Sequence, residues 1–303
     1  MIKKTLQYKI TEKDQGKTVE QFLRSKGYSH RLVVKLRNSP TGLTIGGELA
    51  FTIHRLQAGE ILIATLEEEN SQNIVPVELP LNIVYEDEDI LVVNKDAGVP
   101  IHPSQGHFDH TLANAVAWYY QSKGQTLVYR AINRLDRDTT GLLVIAKHLL
   151  AGCILSDQML NRQIHRQYRA IVCGKTEKEG IIDAPIGRAE DSTVLRRIDF
   201  EHGETARTRY RLLSYDEEKD LSYISLKLDT GRTHQIRVHL AWQNHPILGD
   251  LVYGHKKPEL GQSSQCLHAR ELTFRHPRTN QPMTVSCPLP DYFEAVLEKL
   301  RRL

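Results

Sequence analysis

Little in this chain points to metal, disulfide or membrane chemistry. Its 303 residues include only four cysteines, Cys153, Cys173, Cys266 and Cys287. No two of them fall at C-x-x-C spacing, which argues against a zinc ribbon and a disulfide framework and fits a reducing cytoplasm. No run nears the roughly 20 apolar residues that a membrane span needs. The opening Met1-Ile2-Lys3-Lys4-Thr5 develops no apolar signal core. Low-complexity tracts and internal repeats are lacking too. Nor is there a large excess of one charge: the formal net charge is +3. Contact with a polyanion must then rest on local patches rather than on a global field.

What is present is ordinary for a globular protein, with 40% hydrophobic and 25% charged residues. The length allows one large domain and a small one. Charge is uneven along the chain, since residues 1–66 hold eleven lysines and arginines against five acids. Thr18 predicts a helix from Val19 that Gly27 closes, and Ser29 predicts a second helix with Arg31 and Lys35 on one face. Leu43–Ile45 and Leu49–Ile53 flank Gly46-Gly47 as a hairpin, and Ile61, Ile63 and Thr65 alternate as a strand. The polar run from Glu67 to Asn73 reads as a linker.

The densest stretch is Asn133-Arg134-Leu135-Asp136-Arg137-Asp138-Thr139-Thr140-Gly141, followed by the apolar Leu142–Ala146. Charges, threonines and a glycine predict a loop, and the apolar run predicts a buried strand behind it. Earlier, Ile83–Val84 and Ile90–Val93 predict a hairpin whose second strand is buried. It leads into the rigid loop Asn94-Lys95-Asp96-Ala97-Gly98-Val99-Pro100-Ile101-His102-Pro103. Thr111 predicts a helix cap. A helix is expected over Leu149–Leu160, then a strand in which Tyr168, Ala170 and Val172 alternate with Arg169, Ile171 and Cys173. Arg207, Arg209 and Arg211 share one face of a later strand, either as a solvated face or as a phosphate track. Asp229-Thr230-Gly231-Arg232-Thr233-His234-Gln235-Ile236-Arg237 predicts a turn entering a helix. His234, His239 and His245 invite a metal, but their spacing is not His-Glu-x-x-His and no acid or cysteine completes a set, so no metal site is expected. Pro288 and Pro290 end the sheet region, and a helix over 292–300 closes the chain.

Four of these segments resemble one family. Arg134-Leu135-Asp136 with Thr139-Thr140-Gly141-Leu142-Leu143 is similar to the Arg-Leu-Asp-x-x-Thr-Ser/Thr-Gly-Leu-Leu signature of the RluA family of RNA pseudouridine synthases, with Asn133 where many members have His. Asn94-Lys95 through His102-Pro103, Arg166-Gln167-Tyr168-Arg169-Ala170, and Arg232 through Arg237 resemble further family motifs, with Asp96 for a common Pro and Arg166 for a common Lys. Leu267-His268-Ala269 matches as well. The resemblance covers residues 81–290. It implies an α+β catalytic domain over 81–303, with a mixed, mainly antiparallel central sheet and flanking helices. Residues 71–80 would link it to a small module over 1–70, whose order of helices and strands resembles the α-L RNA-binding domain.

The chemistry implied is isomerisation of uridine in RNA to pseudouridine. That reaction breaks a carbon–nitrogen bond, turns the uracil and forms a carbon–carbon bond, and it needs neither metal nor cofactor. A carboxylate suits the handling of an electron-poor sugar. By resemblance Asp136 is that nucleophile, Tyr168 stacks on the uracil and takes part in proton removal, and Arg237 pairs with Asp136. Arg134 would handle the flipped nucleotide with Asn133 beside the carboxylate, Leu267 would pack under the base, and Arg232 would meet phosphate. Arg31, Lys35, Arg37, Arg207, Arg209 and Arg211 are further RNA-binding candidates. The expected partner is large-subunit ribosomal RNA, with tRNA the alternative substrate and a non-catalytic ribosome-assembly factor the alternative class. A cytoplasmic monomer is expected.

Overall fold

The computed structural model describes residues 2–69, 74–104, 106, 108–190, 192, 194–254 and 264–301. The first unit is built from β1 (Ile2–Lys9), α1 (Val19–Ser25), α2 (His30–Arg37), β2 (Leu43–Ile45), β3 (Glu48–Leu49) and β4 (Ile61–Glu68). Its four strands form one sheet in the order β1-β4-β2-β3. Both helices start where the sequence predicts. The Thr18 side chain accepts from the Gln21 backbone N–H in a capping box, and the Ser29 side chain accepts from Leu32. Gly46 and Gly47 both have positive φ, as a tight hairpin turn requires.

Three expectations for this region change. Strand β1 was not anticipated, although Ile2, Leu6 and Tyr8 alternate with exposed Lys3, Gln7 and Lys9. The second arm of the hairpin is two residues long rather than five. Glu67 and Glu68 belong to β4, paired with Lys3 and Ile2, and not to a linker. Of the expected linker 71–80, residues 71–73 lie outside the described residues. Residues 74–80 carry no regular structure, and the Asn114 amide holds the Val75 carbonyl at 2.7 Å.

The rest of the described chain supplies β5 (Asn82–Glu86), β6 (Ile90–Lys95), α3 (Leu112–Ser122), β7 (Thr140–Ala146), α4 (Leu149–Leu160), β8 (His165–Cys173), β9 (Glu179–Asp183), β10 (Ile186–Arg188), β11 (Arg196–Ile198), β12 (Arg207–Asp216), β13 (Leu221–Leu228), α5 (Gln235–Trp242), β14 (Leu267–Arg275), β15 (Pro282–Ser286) and α6 (Asp291–Arg301). Nine strands make one sheet in the order β5-β6-β7-β14-β8-β13-β12-β9, with β15 also on β14. Every pairing in it is antiparallel except β7 with β14. The sheet is therefore mixed and mainly antiparallel, as expected.

Strands β6 and β7 are covered on both faces. Ile90, Val92, Leu142 and Val144 pack with Leu155 of α4, while Leu91, Val93, Leu143 and Ile145 pack with Val116 and Tyr120 of α3. This explains why both strands read as unbroken apolar runs rather than as alternating ones. A further core gathers Ile171, Leu226, Ile236 and Leu240 with Phe293 and Val296 of α6. The amino-terminal unit packs on α4, where Leu150 joins a cluster with Phe22, Tyr28 and Leu32, and Cys153 and Ile154 press against it. Ion pairs Lys4–Glu88 and Arg130–Glu68 cross the same junction.

Candidate active site

The loop between Ala131 and β7 is fixed from below. Asn133 is buried; its side-chain NH2 donates to the Leu142 carbonyl at 3.1 Å and its oxygen accepts from the Val144 N–H at 2.9 Å. Lys95, at the end of β6, is also buried and donates to the carbonyls of Asp96 and Arg137 at 2.7 and 2.8 Å. Burial pulls its amine down to about 7, against the opposing pull of Asp138, Asp136 and Asp96. At the strand entrance Gly141 has φ +112, and a Cβ there would stand 2.3 Å from the Ala269 carbonyl oxygen. Only glycine lets β7 and β14 approach so closely. Thr140 and His268, partners across that approach, share a hydrogen bond of 2.8 Å.

This pinned loop brings Asp136 to Arg237, which lies 101 residues further along the chain. Arg237 sits in the first turn of α5. Its Nε and Nη2 grip Asp250 at 2.7 and 2.9 Å, and Nη1 reaches Asp136 at 3.1 Å. A bidentate pair of this kind fixes the plane of the guanidinium. The first turn of α5 also supplies a partial positive charge beside Asp136. Burial alone would raise Asp250, yet the Arg237 bonds and the Val252 and Tyr253 N–H groups hold its carboxyl below the usual range. Burial alone would likewise lower Arg237, but Asp250 and Asp136 raise it. The Arg237 guanidinium also lies over the Tyr253 ring, 5.0 Å from its centre.

A cleft opens over Asp136. Leu135, Tyr168, Leu228, Ile236 and Leu267 give it apolar walls, and Arg134, Arg166 and Arg232 give it positive charge. Tyr168 pairs in register with Leu226 on β13 and Ala269 on β14, so three strands set its ring. Burial raises its hydroxyl above the ordinary value, so the phenol is neutral at pH 7. Arg166 projects beside it, and its Nε is buried with no hydrogen-bond partner among the described residues. Arg232 pairs with Glu204 at the rim.

Of the residues singled out in the sequence, Asp136, Tyr168, Arg237, Arg134, Arg232 and Leu267 meet in this cleft. Asn133 does not. Both ends of its amide face the strand rather than the opening, so the expectation that it binds substrate is corrected to anchoring the loop. The arginine stripe is also revised: Arg207 pairs with Asp183 and Arg209 with Asp229, acids brought alongside by the fold. Arg211 on the same face is exposed and has no ion-pair partner among the described residues. Arg31, Lys35 and Arg37 likewise lie exposed along α2. The three histidines go to three places: His239 to Thr208 and Ala184, His245 to the Cys173 carbonyl, and His234 to the cleft beside Tyr253.

Sequence reading gave no role to Asp250, Tyr253 or Lys95, although each stands in a stretch that resembles the family, and it weighed His234 only as a metal ligand. Asp250 lies 13 residues after Arg237, and nothing in the string marks it as the partner. Lys95 carried a signal, a lysine ending a strand that opens with four apolar residues, where a charge needs a reason to be buried.

One carboxylate held by an arginine thus shares a cleft with a tyrosine and a leucine, the arrangement of an enzyme site rather than of a plain surface groove. The comparisons with known proteins agree. A family profile described as RNA pseudouridylate synthase matches residues 89–242. An uncharacterized RNA pseudouridine synthase, YjbO of Bacillus subtilis, is 38% identical over 90% of this chain and 95% of its own length. Ribosomal large subunit pseudouridine synthase D of Nitrosomonas europaea is 40% identical over 78% of this chain and 70% of its own. Among solved structures, human RNA pseudouridylate synthase domain containing 1 aligns with a TM-score of 0.57 at 26% identity, over 74% of this chain and 96% of that one. The chain belongs to the RNA pseudouridylate synthase family, enzymes that isomerise uridine in RNA.

Proposed function

We propose that this protein converts specific uridines of large-subunit ribosomal RNA to pseudouridine, with Asp136 as the group that handles the ribose while the uracil is detached. The observation that carries the reading is the Asp136–Arg237 pair at the floor of a cleft walled by Tyr168 and Leu267. The target uridine flips out of its stack into this cleft. Its uracil lies between Tyr168 and Leu267, and Arg237, bonded to Asp136 Oδ2, holds the carboxylate aimed at the sugar. Tyr168, a neutral phenol at rest, serves as a stacking surface and hydrogen-bond donor, not as a standing base. Arg134, Arg166 and Arg232 meet the phosphates or the gap left in the helix. Support for ribosomal RNA over tRNA comes from the named large-subunit relatives. The exposed basic face of α2 within residues 1–70 would add contacts to structured RNA, with residues 81–303 as the catalytic domain. The protein would act in the cytoplasm as a monomer without a small-molecule cofactor.

The test is tritium release from RNA labelled at uracil C5, with large-subunit transcript and unmodified tRNA offered separately. Release from the ribosomal transcript, lost by at least about 10³-fold in Asp136→Asn with RNA affinity kept, is the expected result. Normal turnover in Asp136→Asn would sink the mechanism, and release from tRNA alone would move the substrate. No release from either would favour a binding role in ribosome assembly.

A further inference from the structure

His234 stands in the cleft in an unusual posture. Its φ is +57, in the left-handed region that residues with a Cβ seldom occupy. Such a conformation persists where its surroundings enforce it, and these cluster at working sites. It places the imidazole immediately before α5, three residues from Arg237, with one nitrogen on each of two neighbours. Nδ1 lies 2.8 Å from the Tyr253 hydroxyl, and that hydroxyl accepts the Arg196 backbone N–H at 2.9 Å. Nε2 faces Asp136, 3.9 Å from Oδ1. Asp136 is engaged by Arg237 through its other oxygen, Oδ2.

The spacing between Nε2 and Oδ1 is the informative quantity. It is too long for a direct hydrogen bond. It does suit a single oxygen lying to one side, within roughly 2.8 Å of both atoms. One partner would donate to that oxygen and the other would accept from it, which describes a hydroxyl. Resting on the reading of this cleft as a uridine-isomerising site, we propose that His234 is the residue that reads the ribose 2′-hydroxyl of the target nucleotide. Tyr253 donates its proton to Nδ1 and so leaves the imidazole proton on Nε2. Nε2–H donates to the 2′-oxygen, and the 2′-hydroxyl proton goes to Asp136 Oδ1. His234 and Asp136 together then distinguish ribose from deoxyribose, which differ at this hydroxyl alone.

The surroundings favour the neutral donor form. Burial pulls His234 below its ordinary value; Asp136 opposes this, while Arg237 and Arg196 reinforce it. An imidazolium with both nitrogens protonated would turn a second N–H toward the Tyr253 hydroxyl, which already accepts from Arg196.

The experiment measures kcat/KM and Kd for a ribosomal RNA fragment carrying either uridine or 2′-deoxyuridine at the one modified position. Wild type is compared with His234→Asn, His234→Gln and Tyr253→Phe. Asparagine tolerates the left-handed backbone but is too short to reach the hydroxyl; glutamine keeps the reach. Wild type should lose roughly ten- to hundred-fold on the deoxy substrate, in rate or, where turnover is too slow, in affinity. His234→Asn should lose activity on uridine and change little on deoxyuridine, bringing the ratio near one. His234→Gln should keep part of the discrimination, and Tyr253→Phe should weaken it. A purely structural role would lower both substrates by the same factor and leave the ratio unchanged, and that outcome overturns the proposal. So does a wild type indifferent to the 2′-hydroxyl. Failure of wild type to convert even the uridine substrate falls on the functional reading itself and is told apart by that control.

Discussion

At the scale of single residues, the site depends on a three-part charge arrangement rather than on one pair. Arg237 offers three nitrogens, two of which go to Asp250. Asp250 is thus what prevents the guanidinium from swinging, although it does not itself line the cleft. Asp250→Asn should lower the single-turnover rate by about 10²-fold, since small misplacements of a reacting group cost that much. RNA affinity should stay within about two-fold, because the cations lining the cleft are untouched. Stopped turnovers and filter binding on the same RNA check this, and an unchanged rate would remove Asp250 from the argument. Asp136, Tyr168 and Arg237 were legible in the sequence because each stands in a short local string. Asp250 was not, because its role is set by the turn that follows α5. Asn133 was misjudged for the opposite reason: it neighbours the key carboxylate along the chain, but the side chain turns inward to the strand.

At the scale of elements, the catalytic loop hangs on the joint between β7 and β14. The apolar patterns predicted the β5–β6 hairpin and the buried β7, but not that β7 would meet β14. His268, fully buried on β14, bonds Thr140 through Nδ1 and Cys287 through Nε2 at 3.2 Å. Burial, aided by Arg270, pulls its imidazole down to about 4. The unfolded chain has an ordinary histidine near 6.5, so between these values the unfolded state binds the extra proton. Stability contributed by the neutral ring is present above about pH 6.5 and is lost as pH falls toward 4. Urea midpoints should decline across that window, and His268→Gln should flatten the decline. An equal slope in both proteins would place the acid sensitivity elsewhere.

At the scale of the molecule, the amino-terminal unit is fastened to the catalytic sheet by Leu150, Ile154 and two ion pairs. Gly27 lies so close that a Cβ there would meet Ile154 at 2.5 Å. A unit packed in this way should unfold with the rest. Calorimetry is expected to give one transition, and Ile154→Asp to lower it while exposing the joint to protease; two well-separated transitions in the unmodified protein would contradict the shared core. The strand that completes the small sheet was hard to see in the sequence because Lys4 occupies an inward position. It reaches Glu88 across the joint, a contact only the folded pair of units reveals.

The one parallel pairing in the large sheet joins Thr140 to His268 and Gly141 to Ala269. Its halves are separated by well over a third of the chain, which makes it among the costliest loops to close during folding. The pocket therefore needs β14 as well as the loop that bears Asp136. Until β14 pairs with β7, the loop that bears Asp136 lacks the strand beside its exit. The joint that carries the Asp136 loop is thus a late seam, closed only when two distant parts of the chain meet.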